Sequence, residues 1–568
     1  MLIAIVLAIY PIWHAMEKPH TEADYRVTAK SQEWRVPTID RGDRRILLLM
    51  IDGLSVPAYE KALHDSRLPH LERLMQERPT SARSAVSTFP SATSPSVQEL
   101  LSGHYAELDY IATPGAVHAF DRQARRIIRY VTEPDSWQWP LPTVFDAVKG
   151  QPAVTVFEGR WDGPTSILTQ YNIASQAILA ALGASALSTG DAGPVDVYLD
   201  IVRSAAPPVV SMVVLNEFDM AAHFYGPESV EAQRALGDCD QLLGEIVHTM
   251  ADMRGPDGKS LLDATTIVIF GDHGMVRSGQ FVNLPKFFAG YGIKAMDVST
   301  IPHVVFRERL GRLWTQWPDA ILVAGGSNVT QVYLRRHSGS WSDNEPATEG
   351  EAKRGSKLPS ADTMIQALAA LTGIDQVISV ADDGAIHIFN SESEAKILER
   401  RIAGERRFAY VVRADAVADP LGYLLEPSAA ILVCRGEPAP ATCFHDGLTW
   451  TDRTYASRYP GAVPLMPKAF RPARFAGDLI VTARAGYSFL RNQNGDHGNL
   501  YRDAVLTPLI LNGPGVHACE ESHVPRLVDI YPTASVLLGA MPDDPALRGL
   551  DGRILDCVKE PAGEPGVE

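Results

Sequence analysis

Arg45-Ile-Leu-Leu-Leu-Met-Ile51-Asp52-Gly53 is the stretch on which the fold turns. An unbroken apolar run that stops at a turn signal predicts a strand buried on both faces, as in a parallel sheet. The same grammar recurs twice. Val209–Leu215 (VVSMVVL) runs into Asn216-Glu-Phe-Asp219, and Thr265–Phe270 (TTIVIF) runs into Gly271-Asp-His-Gly274. Ser229–Met253 lies between these runs with apolar residues at three- and four-residue spacing, which predicts an amphipathic helix. Strands alternating with helices predict an α/β fold: a mostly parallel central sheet with helices on both faces.

Further along, Thr507–Asn512 (TPLILN) predicts another buried strand and Val528–Gly539 a helix that closes the core. From about Lys353 to Pro467, Gly and Pro are frequent and short alternating stretches appear, such as Ala385–Phe389 (AIHIF) and Phe408–Val412 (FAYVV). An inserted α+β subdomain is expected there. The expected organisation is an apolar segment over 1–20, a core over 40–350, the insertion over 351–467 and the second part of the core over 468–560.

The 568 residues are 45% hydrophobic and 21% charged, a globular composition that excludes wholesale disorder and a polytopic membrane protein. The formal charge of −16 argues against nucleic-acid binding through a basic surface, but not against a small phosphorylated substrate held by bound cations. Met1–Trp13 (MLIAIVLAIYPIW) is shorter than the roughly 20 residues a membrane-spanning helix needs. It is expected to be an export signal or membrane anchor, which sets the protein outside the cytoplasm. Cys434 and Cys443 could form a disulfide there or remain thiols. The sequon at Asn328-Val-Thr330 is of a kind that occurs by chance.

In open α/β sheets ligands bind beyond the carboxyl ends of the strands. Asp52, Asp219 and the pair Asp272-His273 all stand there. His223 follows Asp219 by four residues, which a helical turn brings to one face. His497 lies between glycines in Gly495-Asp-His-Gly498. Three Asp and three His without Cys form a donor set for two divalent metals, zinc first and manganese second. In Ser87–Gly103 (STFPSATSPSVQELLSG), Thr93 and Ser94 are expected to cap a helix with Pro95 in its first turn. A hydroxyl at that point is favoured as an alkoxide and stands where a phosphate would bind. Taken singly, Asp52-Gly53 is an ordinary turn, Thr93 an ordinary cap and His223 an ordinary core histidine. Their combined order is what carries chemistry.

That order resembles the alkaline phosphatase superfamily, and within it the type I phosphodiesterase/nucleotide pyrophosphatase branch. Phe89-Pro-Ser-Ala-Thr93-Ser-Pro95 is similar to the branch's nucleophile segment. Glu217-Phe-Asp219-Met-Ala-Ala-His223-Phe-Tyr-Gly226-Pro227 is similar to its Glu-x-Asp-x-x-x-His-x-x-Gly-Pro motif, and both Gly-Asp-His-Gly segments match further motifs. The resemblance implies one metal on Asp219, His223 and His497, and a second on Asp52, Asp272 and His273 with the Thr93 oxygen. It also implies hydrolysis of phosphodiester or pyrophosphate bonds through a phosphothreonine on Thr93. Three positions depart: Ala119 stands where many members place an Asn that holds a phosphate oxygen, with His118 or Arg122 as the candidate substitute, and Ser94 and Ser96 stand where diesterases often have an aromatic residue and an Asn. A phosphomonoesterase on the same site is the rival expectation, and a metal-bound but inactive binding module a further one. The Cys-x-Pro-x-Arg segment of the formylglycine sulfatases is absent.

Overall fold

The computed structural model describes residues 36–40, 42–105, 118–122, 126–129, 141–156, 166–168, 189–255, 258–298, 318–324, 328–335, 361–381, 383–471 and 475–558. The apolar segment 1–20 lies outside them. Among the described residues no helix is long and apolar enough to cross a membrane.

Among the described residues seven strands build the central sheet: β1 (Arg45–Ile51), β2 (Thr80–Val86), β3 (Ala153–Val156), β4 (Ser166–Leu168), β5 (Val210–Leu215), β6 (Thr265–Phe270) and β7 (Leu506–Asn512). Their order is β2-β7-β6-β1-β5-β3-β4. β1 pairs in parallel with both β5 and β6, in registers Ile46 to Val210 and Ile46 to Thr266. β7 runs antiparallel to both its neighbours, β2 and β6. The sheet is therefore mostly parallel, with one reversed strand.

The alternation of β1 side chains explains the layers. Leu47, Leu49 and Ile51 pack with Leu236 and Leu243 of the helix Val230–Asp252, and with Leu71 and Leu74 of Pro69–Glu77. Ile46, Leu48 and Met50 face the other way, onto Val97 and Leu100 of the helix Thr93–Ser102 and Ala534 and Leu538 of Ile530–Leu538. Each such side chain, fully buried, stabilises the fold by about 1.5–3 kcal/mol. Apolar side chains on both faces of one strand require helices on both faces of the sheet.

A second sheet has ten strands among the described residues. Residues 374–446 contribute Ile374–Val380, Ile386–Phe389, Glu394–Ile402, Glu405–Val412, Val433–Arg435 and His445–Asp446. Leu479–Ala483 joins them to Val329–Leu334, pairing antiparallel with both Val329–Leu334 and Ile374–Val380. Cys434 and Cys443 form a disulfide beside this sheet. Asn328 is fully buried, so its sequon offers no surface for a glycan.

Candidate metal centre and active site

Four chain segments, far apart in sequence, deliver the site. β1 ends at Asp52 and β6 at Asp272-His273, side by side because β1 and β6 are adjacent and parallel. Asp219 and His223 ride one face of the short helix Glu217–Tyr225 that follows β5, with His223 Nε2 3.4 Å from Asp219 Oδ2. His497 comes from the Gly495–Gly498 turn. Gly53 is required where it stands: its φ is +73°, and a Cβ there would lie 2.8 Å from Asp219 Oδ1.

The six side chains form two triads. In each, donor atoms lie within 4.8 Å of one another: Asp219, His223 and His497 in one, Asp52, Asp272 and His273 in the other. The triads adjoin, since the rings of His273 and His497 stack at 3.9 Å and those of His223 and His497 are 5.1 Å apart. Thr93 Oγ1 lies 3.3 Å from His273 Nε2, which is itself 3.4 Å from both Asp52 Oδ1 and Asp272 Oδ2.

Ring orientation is set from behind. His223 Nδ1 is 3.0 Å from the Gly495 carbonyl, His273 Nδ1 3.0 Å from that of Gly274, and His497 Nδ1 3.0 Å from that of Ser91. A carbonyl only accepts, so each Nδ1–H donates, and in the neutral ring each Nε2 presents a lone pair. For His497, burial and the neighbouring His273 and His223 hold the pKa well below the ordinary value, which keeps that lone pair available. For His223, burial opposes charge, but the Asp219 and Asp496 carboxylates outweigh it and the pKa rises. Burial also pushes the Asp272 carboxyl above its ordinary value.

This donor set fits divalent cations. Asp219 Oδ1 and Asp272 Oδ2 are buried and accept no hydrogen bond. A buried carboxylate oxygen without a partner costs about 1–3 kcal/mol or more. Three oriented imidazole lone pairs beside such carboxylates suit zinc or manganese. The Nδ1-to-carbonyl bonds are the support that metal-binding histidines ordinarily receive.

The Thr93 helix is capped one position earlier than the sequence predicts. The helix spans Thr93–Ser102 with Ala92 as N-cap, and no side chain caps it. Thr93 is its first helical residue, and its hydroxyl is turned to His273 instead of to the helix backbone. Arg122 does not serve as the substitute phosphate ligand. It is fully buried, donates from Nε and from a terminal nitrogen to the Ala476 carbonyl, pairs with Asp478 at 3.0 Å and lies over the Tyr333 ring. The side chains of His118 and Ala119 lie outside the described residues.

Supporting groups that spacing did not reveal also line up here. Ser87 Oγ donates to the Asp272 carbonyl, and Asp496 accepts from the His497 N–H at 2.9 Å and from Ser488 Oγ at 2.6 Å. Behind Asp219, Asp191 accepts from the Glu217 N–H at 2.9 Å. Burial pushes Glu217 up to about 9, with Asp191 and Asp238 adding to it. Glu217 stands in the quoted motif and Asp496 beside His497, but nothing in the sequence pointed to Asp191, Ser488 or the Ser87 bond.

Comparison with known proteins bears on the fold and the family. Human ectonucleotide pyrophosphatase/phosphodiesterase 5 is 14% identical, with 88% of this chain and 96% of that chain covered at a TM-score of 0.51. Phosphonoacetate hydrolase from Sinorhizobium meliloti 1021, in complex with phosphonoformate, is 14% identical over 89% of this chain and 100% of that one, at a TM-score of 0.47. No curated protein matches in sequence. The sequence pattern of the type I phosphodiesterase/nucleotide pyrophosphatase family matches residues 46–506, which contain every residue of both triads and Thr93. The chain belongs to that family of phosphoric-ester hydrolases.

Proposed function

We propose that the protein hydrolyses small phosphate esters, phosphodiester or pyrophosphate bonds first, with Thr93 as nucleophile and two divalent cations, zinc ahead of manganese, held by the two triads. The carrying observation is the convergence of three Nδ1-anchored histidines and three buried Asp carboxylates beside the Thr93 hydroxyl. Bound cations would supply the positive charge that lowers the pKa of a hydroxyl and stabilises a transferring phosphoryl group. Thr93 would attack phosphorus, the bond from phosphorus to the leaving alcohol or phosphate oxygen would break, and Thr93 would carry the phosphoryl group as phosphothreonine until water removes it. The helix it begins favours the anion there, through first-turn N–H groups without intrahelical acceptors and through its dipole. Asp219, His223 and His497 would hold one cation; Asp52, Asp272 and His273 would hold the other, with the Thr93 oxygen. A location outside the cytoplasm is supported by the Cys434–Cys443 disulfide and the apolar run at 1–13.

The test compares bis(p-nitrophenyl) phosphate with p-nitrophenyl phosphate after reconstitution with zinc or manganese. A higher kcat/KM is expected for the diester; the reverse order makes the protein a phosphomonoesterase. Thr93→Ala is expected to lower kcat by roughly a thousandfold or more while metal content, measured by elemental analysis, stays at that of wild type. Full turnover in Thr93→Ala rules out the covalent route, and activity that persists after verified metal removal rules out the cation centre.

A further inference from the structure

Two thiols that the phosphoryl chemistry does not use lie together at the far end of the core. Cys519 is on the loop that follows β7, and Cys557 is on the single helical turn Asp556–Val558 near the end of the described chain. Their sulfurs and the Glu521 carboxylate lie within 4.8 Å of one another. Cys557 is buried and Cys519 is partly exposed. The backbone fixes the pairing, because the His517 N–H donates to the Cys557 carbonyl at 3.0 Å and the Cys557 N–H to Glu521 Oε1 at 3.2 Å.

Two sulfurs and a carboxylate could hold a soft cation, but Glu521 is already engaged. Its Oε2 accepts from Arg553 at 3.0 Å and from the Asp556 N–H at 3.0 Å. A cation would meet the Arg553 guanidinium and a carboxylate whose two oxygens are both taken. Joining the sulfurs to each other meets neither obstacle and gives up only the weak bond that Cys519 Sγ donates to Glu521 Oε1 at 3.7 Å.

We propose that Cys519 and Cys557 close a second disulfide, beside Cys434–Cys443, when the chain meets a small-molecule disulfide oxidant. The partly exposed Cys519 loses its proton to solvent and attacks one sulfur of the oxidant, breaking its S–S bond and releasing one thiol. Cys557 loses its proton and attacks the Cys519 sulfur of that mixed disulfide, and the second oxidant thiol leaves. Two protein thiols are oxidised and one oxidant disulfide is reduced. Burial and the Glu521 carboxylate raise the Cys519 thiol, and burial pushes Cys557 further, up to about 12; since Cys519 is also the sulfur that solvent reaches, the first attack belongs to Cys519 and closure is the slow half. The bond restrains the segment whose Asp551 and Gly552 N–H groups both donate at 3.0 Å to the Gly103 carbonyl, where the Thr93 helix ends. This inference does not depend on the proposed phosphoryl chemistry.

The test treats the full chain with glutathione disulfide, alkylates it without reduction and maps its peptides by mass. The expected product links the Cys519 and Cys557 peptides and leaves Cys239 as the alkylated thiol. In a Cys434→Ser/Cys443→Ser background, the oxidised form should melt several degrees above the dithiothreitol-treated form. Cys519→Ser, at a partly exposed position, should erase both the link and the shift. Three results each overturn the proposal: alkylation of both sulfurs after oxidant, a stable glutathione adduct on Cys519 with Cys557 still a thiol, or tightly bound zinc that Cys519→Ser releases.

Discussion

At the scale of single residues, the site depends as much on what is missing as on what is present. Gly53 has no side chain where a methyl group would stand 2.8 Å from Asp219 Oδ1 and 3.1 Å from Asp219 Cβ. Gly53→Ala is therefore expected to displace Asp219, and its φ of +73° adds strain of about 1 kcal/mol or more. Elemental analysis should show the variant losing about one cation per chain, with activity down roughly tenfold or more and its circular dichroism unchanged. Wild-type metal content in that variant counts against a cation at Asp219. The seven chemically distinctive side chains were legible in the sequence because Asp, His and Thr at strand and helix ends are few and their order is informative. The Ser91, Gly274 and Gly495 carbonyls that orient the rings were not, because every residue carries a carbonyl and only the fold selects these three.

At the scale of elements, the strands and long helices followed from periodicity, and Val230–Asp252 with its Ser229 cap lies within a residue of the expected span. The helix at Thr93 was harder to delimit. Thr and Ser are good caps in general, but here Ala92 takes that position and leaves the Thr93 hydroxyl for the site. Between elements, Asp191 in the first turn of the helix Thr189–Val202 is tied to the start of the Asp219 helix. Burial raises its pKa to about 6, against about 3.9 in an unfolded chain. Its contribution to stability is whole below pH 4, where both states are protonated, and is lost as pH rises through 6, because the folded chain then holds a proton that the unfolded chain has released. The two-unit difference corresponds to about 3 kcal/mol. Urea midpoints at pH 4 to 7 should show Asp191→Asn gaining on wild type across that window; a pH-independent difference would mean Asp191 ionises normally.

At the scale of the whole molecule, the Arg122–Asp478 pair joins the strand His118–Asp121 to the second sheet with both side chains fully buried. Removing one partner strands the other, at a cost of about 3–5 kcal/mol. Arg122→Ala should lose that much in denaturant unfolding while KM stays near wild type, whereas a large rise in KM with stability intact would return Arg122 to the substrate. Change of composition marked residues 351–467, but nothing local showed that Leu479–Ala483 would lie between Val329–Leu334 and Ile374–Val380, because pairing between distant segments leaves no periodic trace. The same wiring holds for β7, which fills the gap between β2 and β6. Both sheets thus receive an interior strand from the last fifth of the chain. During synthesis, hundreds of residues leave the ribosome with two gaps, one in each sheet, and so four open strand edges waiting for their neighbours. Until residue 512 emerges, the nascent chain is a candidate for capture by chaperones and, at high expression, for edge-to-edge aggregation.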